Sequence, residues 1–244
     1  MRTVNILWTG GLDSSYRVAE LSKMECIIQP YYILAAERLS YKYELSAIRS
    51  ITSIIRKHPD TKAVLNDVIV VDEKTLAPSE DIHEARLHLT ERCQLGSQYE
   101  FIARFAQQYA LEVEVGVLFT ERGKVSKCLG GGSDDLLLEE NGDYAVYKVN
   151  QAVVNKDACM IFGRLLFPKT LRNITKLDEA EGFKKLGLEA AYKKTWFCHK
   201  PILGMPCGKC NPCLDCLAEG MPERVPYMGR FFGLVRAGWK KITR

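Results

Sequence analysis

Two groups of residues, one near each end of this 244-residue chain, have types and spacing that could do chemistry. The first follows an apolar run, 4–8, which predicts a buried strand that breaks directly into two glycines. Gly10 and Gly11 let the backbone pass close to a ligand because no Cβ stands in the way. A helix starting near Asp13 or Ser14 would direct its unpaired amides and the positive end of its dipole toward that ligand. The pattern predicts an anion site that fits a pyrophosphate group.

The hydroxyl groups of Thr9, Ser14 and Ser15 add hydrogen-bond donors to this loop. An ordinary strand–turn–helix connection with a Ser or Asp cap is the alternative interpretation. The loop lacks both the Lys-Ser/Thr pair of the usual P-loop and the Gly-x-Gly-x-x-Gly spacing of dinucleotide-binding folds. The sequence therefore favours a nucleotide site of another kind.

The loop resembles the Ser-Gly-Gly-x-Asp-Ser signature of the PP-loop ATP pyrophosphatases, with Thr9 in place of the first Ser. Members of that superfamily cleave ATP to AMP and pyrophosphate and adenylate a substrate oxygen. The resemblance implies catalytic roles for Asp13 and Ser14, with Asp13 orienting the loop or lying near the Mg2+ that neutralises the leaving pyrophosphate. It also implies that ATP is bound by a continuous segment: Leu7, Trp8, Thr9, Gly10, Gly11, Leu12, Asp13, Ser14 and Ser15.

The second group is a cluster of cysteines near the other end of the chain. Nine cysteines is an odd number in a chain without a recognisable secretion signal, so disulfides are not expected. Four of them have the spacing Cys-x8-Cys-x2-Cys-x2-Cys, which can present thiolates around a tetrahedral cation: Cys198, Cys207, Cys210 and Cys213. This arrangement predicts a structural zinc ion (Zn2+), and an iron–sulfur cluster is the alternative.

The remaining thiols are interpreted by their surroundings. Cys216 is left out of the metal site because a helix over 214–218 would carry it away, and His199 follows Cys198 too directly to aim at the same ion. Two cysteines in apolar runs, Cys26 and Cys159, are expected to be small core residues. Two in polar segments are interpreted as candidate exposed thiols: Cys93 and Cys128.

Composition is that of an ordinary globular protein, with 47% apolar and 26% charged residues. No apolar run approaches the length of a membrane span, and no basic-then-apolar signal segment precedes the first strand, so a cytoplasmic protein without a membrane partner is expected. The net charge of +4 is too mild to predict nucleic-acid binding. A solvated terminal helix is expected to carry much of the basic excess: Arg224, Arg230, Arg236, Lys240, Lys241 and Arg244.

Apolar periodicity predicts strands that alternate with helices. Strands are expected over 26–35, 64–71, 113–118 and 160–167, and helices over 14–24, 41–56, 97–109 and 174–186. This order predicts an α/β fold with a doubly wound, mainly parallel sheet that binds its ligand beyond the carboxyl ends of the strands. We expect a nucleotide-binding domain over 1–190 and a helical zinc-binding segment over 191–244. Two stretches are predicted as irregular: 72–96 as an insertion or long loop, and 123–148 as a lid or linker.

The loop and the four cysteines together resemble the 7-cyano-7-deazaguanine synthase family of the queuosine pathway, and the likeness covers most of the chain. Three shorter segments also match the family: Glu44-Leu45-Ser46-Ala47, Ile174-Thr175-Lys176 with Gly187, and Thr195-Trp196-Phe197-Cys198. Family members use ATP to activate the carboxylate of 7-carboxy-7-deazaguanine. Ammonia then displaces AMP, and a second ATP drives dehydration of the amide to the nitrile. The resemblance implies an ATP-dependent, AMP-forming carbon–nitrogen ligase.

The chain departs from this family at three places. Gln98 and Tyr99 replace an Arg-Asn pair, 120–123 replaces an Asp and a Gly-Tyr-Pro-Asp segment, and Cys216 replaces an Arg. We therefore expect carboxylate activation to survive better than nitrile formation, with ammonia or an amine of a partner protein giving an amide. Some divergent relatives of this kind occur in bacterial defence gene clusters. The base is expected to lie against four residues: Gln98, Tyr99, Phe101 and Trp196.

Two other functions remain open on the sequence. A tRNA-thiolating PP-loop enzyme would need RNA binding and a catalytic Cys93 or Cys128. A non-catalytic module would bind nucleotide without turnover, against which the intact Asp13 and Ser14 argue. A homodimer is compatible with the sequence.

Overall fold

A computed structural model of the protein describes residues 1–35, 38–120 and 123–242, with side chains described as far as residue 235. In chain order, its helices and strands are β1 (Arg2–Leu7), α1 (Leu12–Leu21), β2 (Cys26–Leu34), α2 (Tyr41–Lys57), β3 (Val64–Leu65), β4 (Ile69–Asp72), α3 (Glu80–Cys93), α4 (Gln98–Gln108), β5 (Val113–Val115), α5 (Lys124–Leu129), β6 (Leu136–Asn141), β7 (Tyr144–Val149), α6 (Lys156–Phe162), β8 (Leu165–Pro168), α7 (Lys176–Lys185), α8 (Glu189–Tyr192), α9 (Asn211–Ala218) and α10 (Tyr227–Ile242).

The eight strands form one mixed sheet in the order β3-β2-β1-β5-β8-β7-β6, with β4 also paired to β2. The pairs that involve β1, β2, β3, β4 and β5 are all parallel, as is β5 with β8. The chain then adds an antiparallel hairpin, β6–β7, beside β8. The predicted α/β class with a mainly parallel sheet is confirmed, and the antiparallel edge is an addition.

The central strands are buried on both faces, which explains why they are nearly continuous apolar runs. Ile6 of β1 and Ile28 of β2 are fully buried in a cluster that α1 and α2 complete with Val18 and Ile51. A second cluster lies among α3, α4, α6 and β8, where the Phe105 ring is fully buried. The two clusters hold β1 and β5 side by side, so the ends of both strands reach the same edge of the sheet.

The segment 72–96 is mostly the helix α3 and not the predicted insertion or long loop. Ser79 caps this helix by accepting a hydrogen bond from the Ile82 amide at 3.4 Å. Its buried positions recur at helical spacing (Ile82, Ala85, Leu89 and Cys93), but mostly polar and charged residues fill the other positions. The sequence prediction is wrong because this thin apolar stripe was outweighed by polar composition.

The segment 123–148 is likewise regular and not a lid or linker, since it forms α5 and the β6–β7 hairpin. Asp135 closes the preceding glycine run by accepting a hydrogen bond from the Gly132 amide at 2.7 Å. Two predicted strands also differ from the structure: 64–71 is divided into β3 and β4, and 160–167 begins inside helix α6 and becomes strand only at Leu165. Glu121 and Arg122 lie outside the described residues.

The cysteines outside the C-terminal group differ from expectation at one pair. Cys93 of α3 and Cys128 of α5 are buried and joined by a disulfide, with their Cα atoms 5.4 Å apart. The predictions of exposed thiols and of a chain without disulfides are therefore wrong, because the polar segments that carry both residues fold into packed helices. Cys26 is buried as predicted, whereas Cys159 is only half-buried.

The predicted terminal helix is present as α10, but its start is less solvated than expected. Arg224 and Arg230 are half-buried, and each donates hydrogen bonds to backbone carbonyl groups. The side chains of Arg236, Lys240 and Lys241, and all of Arg244, lie outside the described part of the chain. Among the described helices, none is long and apolar enough to cross a membrane.

Candidate functional site

The glycine loop lies between β1 and α1, as the sequence predicts, although α1 begins at Leu12 and not at Asp13 or Ser14. Gly10 has φ +69°, and a Cβ there would lie only 2.8 Å from the Glu44 carbonyl oxygen of α2. Both the backbone conformation and the close approach of α2 therefore require glycine at this position. The Trp196 amide donates a hydrogen bond to the Gly10 carbonyl at 2.8 Å, which ties the loop to residues 195–224, here called the cysteine-rich segment.

The polar side chains of the loop face two directions. The hydroxyl oxygens of Thr9 and Ser14 lie 3.4 Å apart at the edge of the sheet, where both residues line open space. Ser15 is fully buried and accepts a hydrogen bond from Trp8 Nε1 at 2.9 Å. The Ser15 hydroxyl therefore braces the loop from inside the core, and Ser15 is not among the residues that line the two cavities beside the loop. Leu12 is also buried in the core.

Two cavities meet at this loop. The larger cavity, of about 660 Å³, lies beyond the carboxyl ends of β1, β2 and β5. The smaller cavity, of about 310 Å³, lies between the loop, α7 and the cysteine-rich segment. Thr9, Ser14 and Gly116 line both. A Cβ on Gly116 would lie 2.4 Å from Ser14 Cα, so this glycine permits the contact between the end of β5 and the start of α1.

A buried carboxylate holds α2 beside the loop. Glu44 accepts hydrogen bonds from Tyr32 Oη at 2.8 Å, Ser40 Oγ at 2.6 Å and Arg38 Nε at 3.0 Å. Burial and the adjacent Glu44 carboxylate raise the pKa of the Tyr32 phenol. Arg38 lines both cavities, and it was not singled out from the sequence because no motif surrounds it.

Lys176 reaches the loop from the first turn of α7. Thr175 caps this helix in a reciprocal pair with Asp178, which fixes where the first turn starts. The Lys176 ammonium forms an ion pair with the Asp13 carboxylate, and both residues line the smaller cavity. Burial lowers the pKa of Lys176. Asp13 is therefore placed at the cavity with a cation as its partner.

Glu179, one turn further along α7, was missed by sequence reasoning. Its side chain is 0% exposed, and its nearest cation is Lys176 Nζ, 3.7 Å away. Among the described residues, neither of its carboxylate oxygens has a hydrogen-bond partner. Burial raises its pKa from 4.5 to about 7. In the sequence it is one of four acidic residues between 178 and 189, and nothing distinguishes it from the exposed ones.

The four predicted cysteines come together. The sulfur atoms of Cys198, Cys207, Cys210 and Cys213 all lie within 4.8 Å of one another. Cys210 Sγ is 3.8 Å from Cys198 Sγ and 3.5 Å from Cys213 Sγ. Four thiolates bound to zinc at about 2.3 Å would be separated by about 3.8 Å, the edge of the tetrahedron. The cluster could therefore hold a metal ion such as zinc.

The neighbours of the cluster agree with the sequence prediction. Cys216 lies on α9, is buried, and directs its thiol to the Met221 carbonyl at 3.4 Å. His199 is exposed and lines the cavities, so neither residue belongs to the four-sulfur group. Helix α10 packs directly on the cysteine loop, because a Cβ on Gly233 would lie 2.0 Å from the Cys207 carbonyl oxygen.

The four residues predicted to contact a base are divided between the cavities. Gln98, Tyr99 and Phe101 line the larger one, whereas Trp196 lines the smaller one and stacks on Tyr43 with ring centroids 4.6 Å apart. The Tyr99 ring is largely built into the core, where it packs edge-on against Phe162. Burial raises the pKa of Tyr99 to about 12. One aromatic wall that combines all three rings is therefore absent from the described residues.

Comparison with known proteins gives no match for this chain, either among models of protein families or among curated proteins. What the site does must follow from its own geometry. That geometry combines a strand–glycine–helix loop at a sheet edge, a Lys–Asp ion pair, two joined cavities and a four-thiol cluster.

The buried carboxylate of Glu179 generates a prediction on stability. Because its pKa is raised in the folded state, the stability linked to its protonated form is present below pH 4.5 and is lost as pH rises through about 7. Glu179→Gln removes this loss, so the stability of the variant relative to the wild type should rise by on the order of 3 kcal/mol between about pH 5 and about pH 8.

Urea unfolding across this pH range measures the effect. Glu181→Gln is the matched control, because Glu181 lies on the same helix with 54% of its side chain exposed. Parallel pH profiles for the wild type and Glu179→Gln would show that Glu179 titrates normally.

Proposed function

We propose that this chain is a PP-loop ATP pyrophosphatase that activates a carboxylate substrate as its acyl-adenylate. The observation that carries the proposal is the loop from Thr9 to Ser14, which opens on two joined cavities with Lys176 and Asp13 at its side. The first amides of α1 have no partners within the helix, and the hydroxyls of Thr9 and Ser14 lie beside them. This set of donors fits a phosphate chain.

Two cations and one carboxylate of the smaller cavity suit a leaving pyrophosphate that carries Mg2+. Lys176 and Arg224 can donate to phosphate oxygens, and the Asp13 carboxylate is an oxygen ligand of the kind that Mg2+ prefers. Mg2+, when bound, would supply charge neutralisation for the pyrophosphate. We assign Ser14 to the phosphate that is attacked because it borders both cavities, where nucleotide and substrate would meet.

The proposed substrate is a planar carboxylated purine analogue of the 7-carboxy-7-deazaguanine type, bound in the larger cavity. A volume of about 660 Å³ lies within the range for small-molecule sites, and Tyr99 and Phe101 contribute aromatic lining. The substrate carboxylate attacks the α-phosphorus of ATP, which releases pyrophosphate and forms the acyl-adenylate. An amine then attacks the acyl carbon, AMP leaves, and an amide results. The amine is ammonia or an amino group of a partner protein.

The proposed metal is zinc with a structural role. The cysteine-rich segment hydrogen-bonds to the glycine loop through Trp196, so a metal ion there would fix the segment that supports the loop. A tRNA-thiolating enzyme is disfavoured because Cys93 and Cys128, its candidate catalytic thiols, are buried in a disulfide. Pyrophosphate release distinguishes an enzyme from a module that binds nucleotide without turnover.

Zinc content tests the metal assignment. We expect one zinc ion per chain in the wild type, and loss of metal together with solubility in Cys207→Ser, because metal binding and folding are coupled. Cys216→Ser is the control and should keep its zinc, since that thiol points to the Met221 carbonyl. Metal analysis of the purified wild type and of each variant measures the zinc content, and the yield of soluble protein measures solubility. Full zinc in Cys207→Ser, or iron with visible absorbance after anaerobic purification, would contradict the assignment.

Pyrophosphate release tests the loop. Asp13→Ala and Ser14→Ala should each lower the rate by at least about a hundredfold, the usual loss when a group that stabilises transition-state charge is removed. A coupled pyrophosphate assay measures the rate, and circular dichroism checks that each variant is folded. Asp143→Ala, an exposed position beyond the end of β6, should retain the wild-type rate. Unchanged turnover in both loop variants would remove the role assigned to the loop.

Product analysis tests the substrate. Incubation with ATP, 7-carboxy-7-deazaguanine and ammonia should give AMP and the amide by mass spectrometry, because Gln98 and Tyr99 differ from the family that forms the nitrile. Parallel incubation with cell extract searches for transfer to a protein amine. Rapid formation of the nitrile would overturn the amide assignment. If no AMP forms with this substrate under any nucleophile, the substrate class is wrong.

A further inference from the structure

The smaller cavity has an unexpected charge balance for a site that takes a polyanion. Three cationic side chains line it (Arg38, Lys176 and Arg224), together with four carboxylates (Asp13, Glu44, Asp215 and Glu219). Arg38 and Glu44 neutralise each other at 2.9 Å. The remaining two cations therefore face three carboxylates, and the cavity is net negative before any ligand enters.

Glu179 increases this excess from behind the cavity wall. Its carboxylate does not line the cavity but lies 3.7 Å from Lys176, whose ammonium already pairs with Asp13. Lys176 thus has two carboxylate partners on the protein side. Because Glu179 is shielded from water and salt, its charge acts on the cavity with little screening.

A packing role alone does not account for a carboxylate at this position. Glu179 lies nearly one helical turn before Gly182, the position at which α7 packs against the Tyr16 ring of α1. Both of its oxygens lack hydrogen bonds among the described residues, so its charge is buried at a cost that an apolar side chain would avoid. Among the described residues, its ion pair is with Lys176, the cation at the cavity.

We propose that Glu179 is a specificity residue that makes the site select the metal-bound nucleotide over the free one. With Glu179 ionised, the charge of Lys176 is more than cancelled, and the cavity repels a free triphosphate. A triphosphate that carries a divalent cation is repelled less, and the cation is itself attracted by Asp13. The inference rests on the proposed function and adds to it a determinant of metal dependence.

Calorimetric titration with α,β-methylene-ATP, an analogue that cannot release pyrophosphate, tests this inference at about pH 8, above the pKa of about 7 assigned to Glu179. Each protein is titrated once with excess Mg2+ and once with a chelator. Glu179→Gln should bind the metal-free analogue about tenfold more tightly than the wild type does, because a buried charge near the phosphates has been removed. Its affinity for the Mg2+ complex should change much less.

Three variants control for other effects. Glu179→Asp keeps the charge and should keep the wild-type selectivity. Glu179→Leu removes the charge together with its desolvation cost, and it should behave as Glu179→Gln does even if the amide variant folds poorly. Glu181→Gln, an exposed charge on the same helix, should leave both affinities unchanged.

A pH series adds a readout that a structural role would not change. The charged and titratable groups around Glu179 are Lys176 on its own helix, Glu20 and Tyr16 on α1, and Glu219 and Arg224 from the cysteine-rich segment. As pH falls through about 7, Glu179 gains a proton, so selectivity should fall in the wild type and not in Glu179→Gln. The difference between the two proteins removes the titration of the analogue itself.

The outcomes separate the inference from the function. If the wild type binds neither form of the analogue, the proposed function fails. If it binds both forms equally, or if removal of the Glu179 charge leaves the selectivity unchanged, the function stands and the role of Glu179 is wrong.

Discussion

The close approach of α2 to the glycine loop is the constraint on which the rest of the site depends. Gly10 lies under the Glu44 carbonyl of α2 with a positive φ, so any side chain there would push the helix away. The same Glu44 binds Tyr32 and Arg38 through its carboxylate. One residue of α2 therefore fixes both the path of the loop and the position of a cation beside it.

The parts of this architecture that the sequence predicted are those with local signals. The apolar runs and helical spacing of residues 26–35 and 41–56 gave β2 and α2 nearly to the residue. The helix over 80–93 was missed because its four buried positions are separated mostly by polar and charged residues that are exposed or half-buried. The β6–β7 hairpin was missed because a glycine run preceded it. Its strands pair with each other, and β7 also pairs with β8.

The residues of the candidate site also fall into those with a local sequence signal and those without one. The spacing of the cysteines and the Thr9–Ser15 motif identified residues that do come together, because each group is nearly contiguous in the chain. Arg38 and Glu179 were missed because their positions are set by packing. Arg38 is held beside the cavities by Glu44, and Glu179 is fully buried beside Lys176. Ser15 is the opposite case: it belongs to the sequence motif, but its hydroxyl accepts a hydrogen bond inside the core.

The connection between the two motifs is the last consequence of the geometry. Trp196 donates its amide N–H to the Gly10 carbonyl and its indole N–H to the Cys198 carbonyl, each at 2.8 Å. Two hydrogen bonds therefore join the loop to Cys198, the first of the four clustered cysteines. On the other side, Arg224 donates to the Thr195 hydroxyl at 2.6 Å. If the cysteine-rich segment is fixed in one conformation, the residues with which it lines the smaller cavity are therefore fixed as well. Order at the four thiols and order at the loop should be linked, although no thiol need touch a ligand.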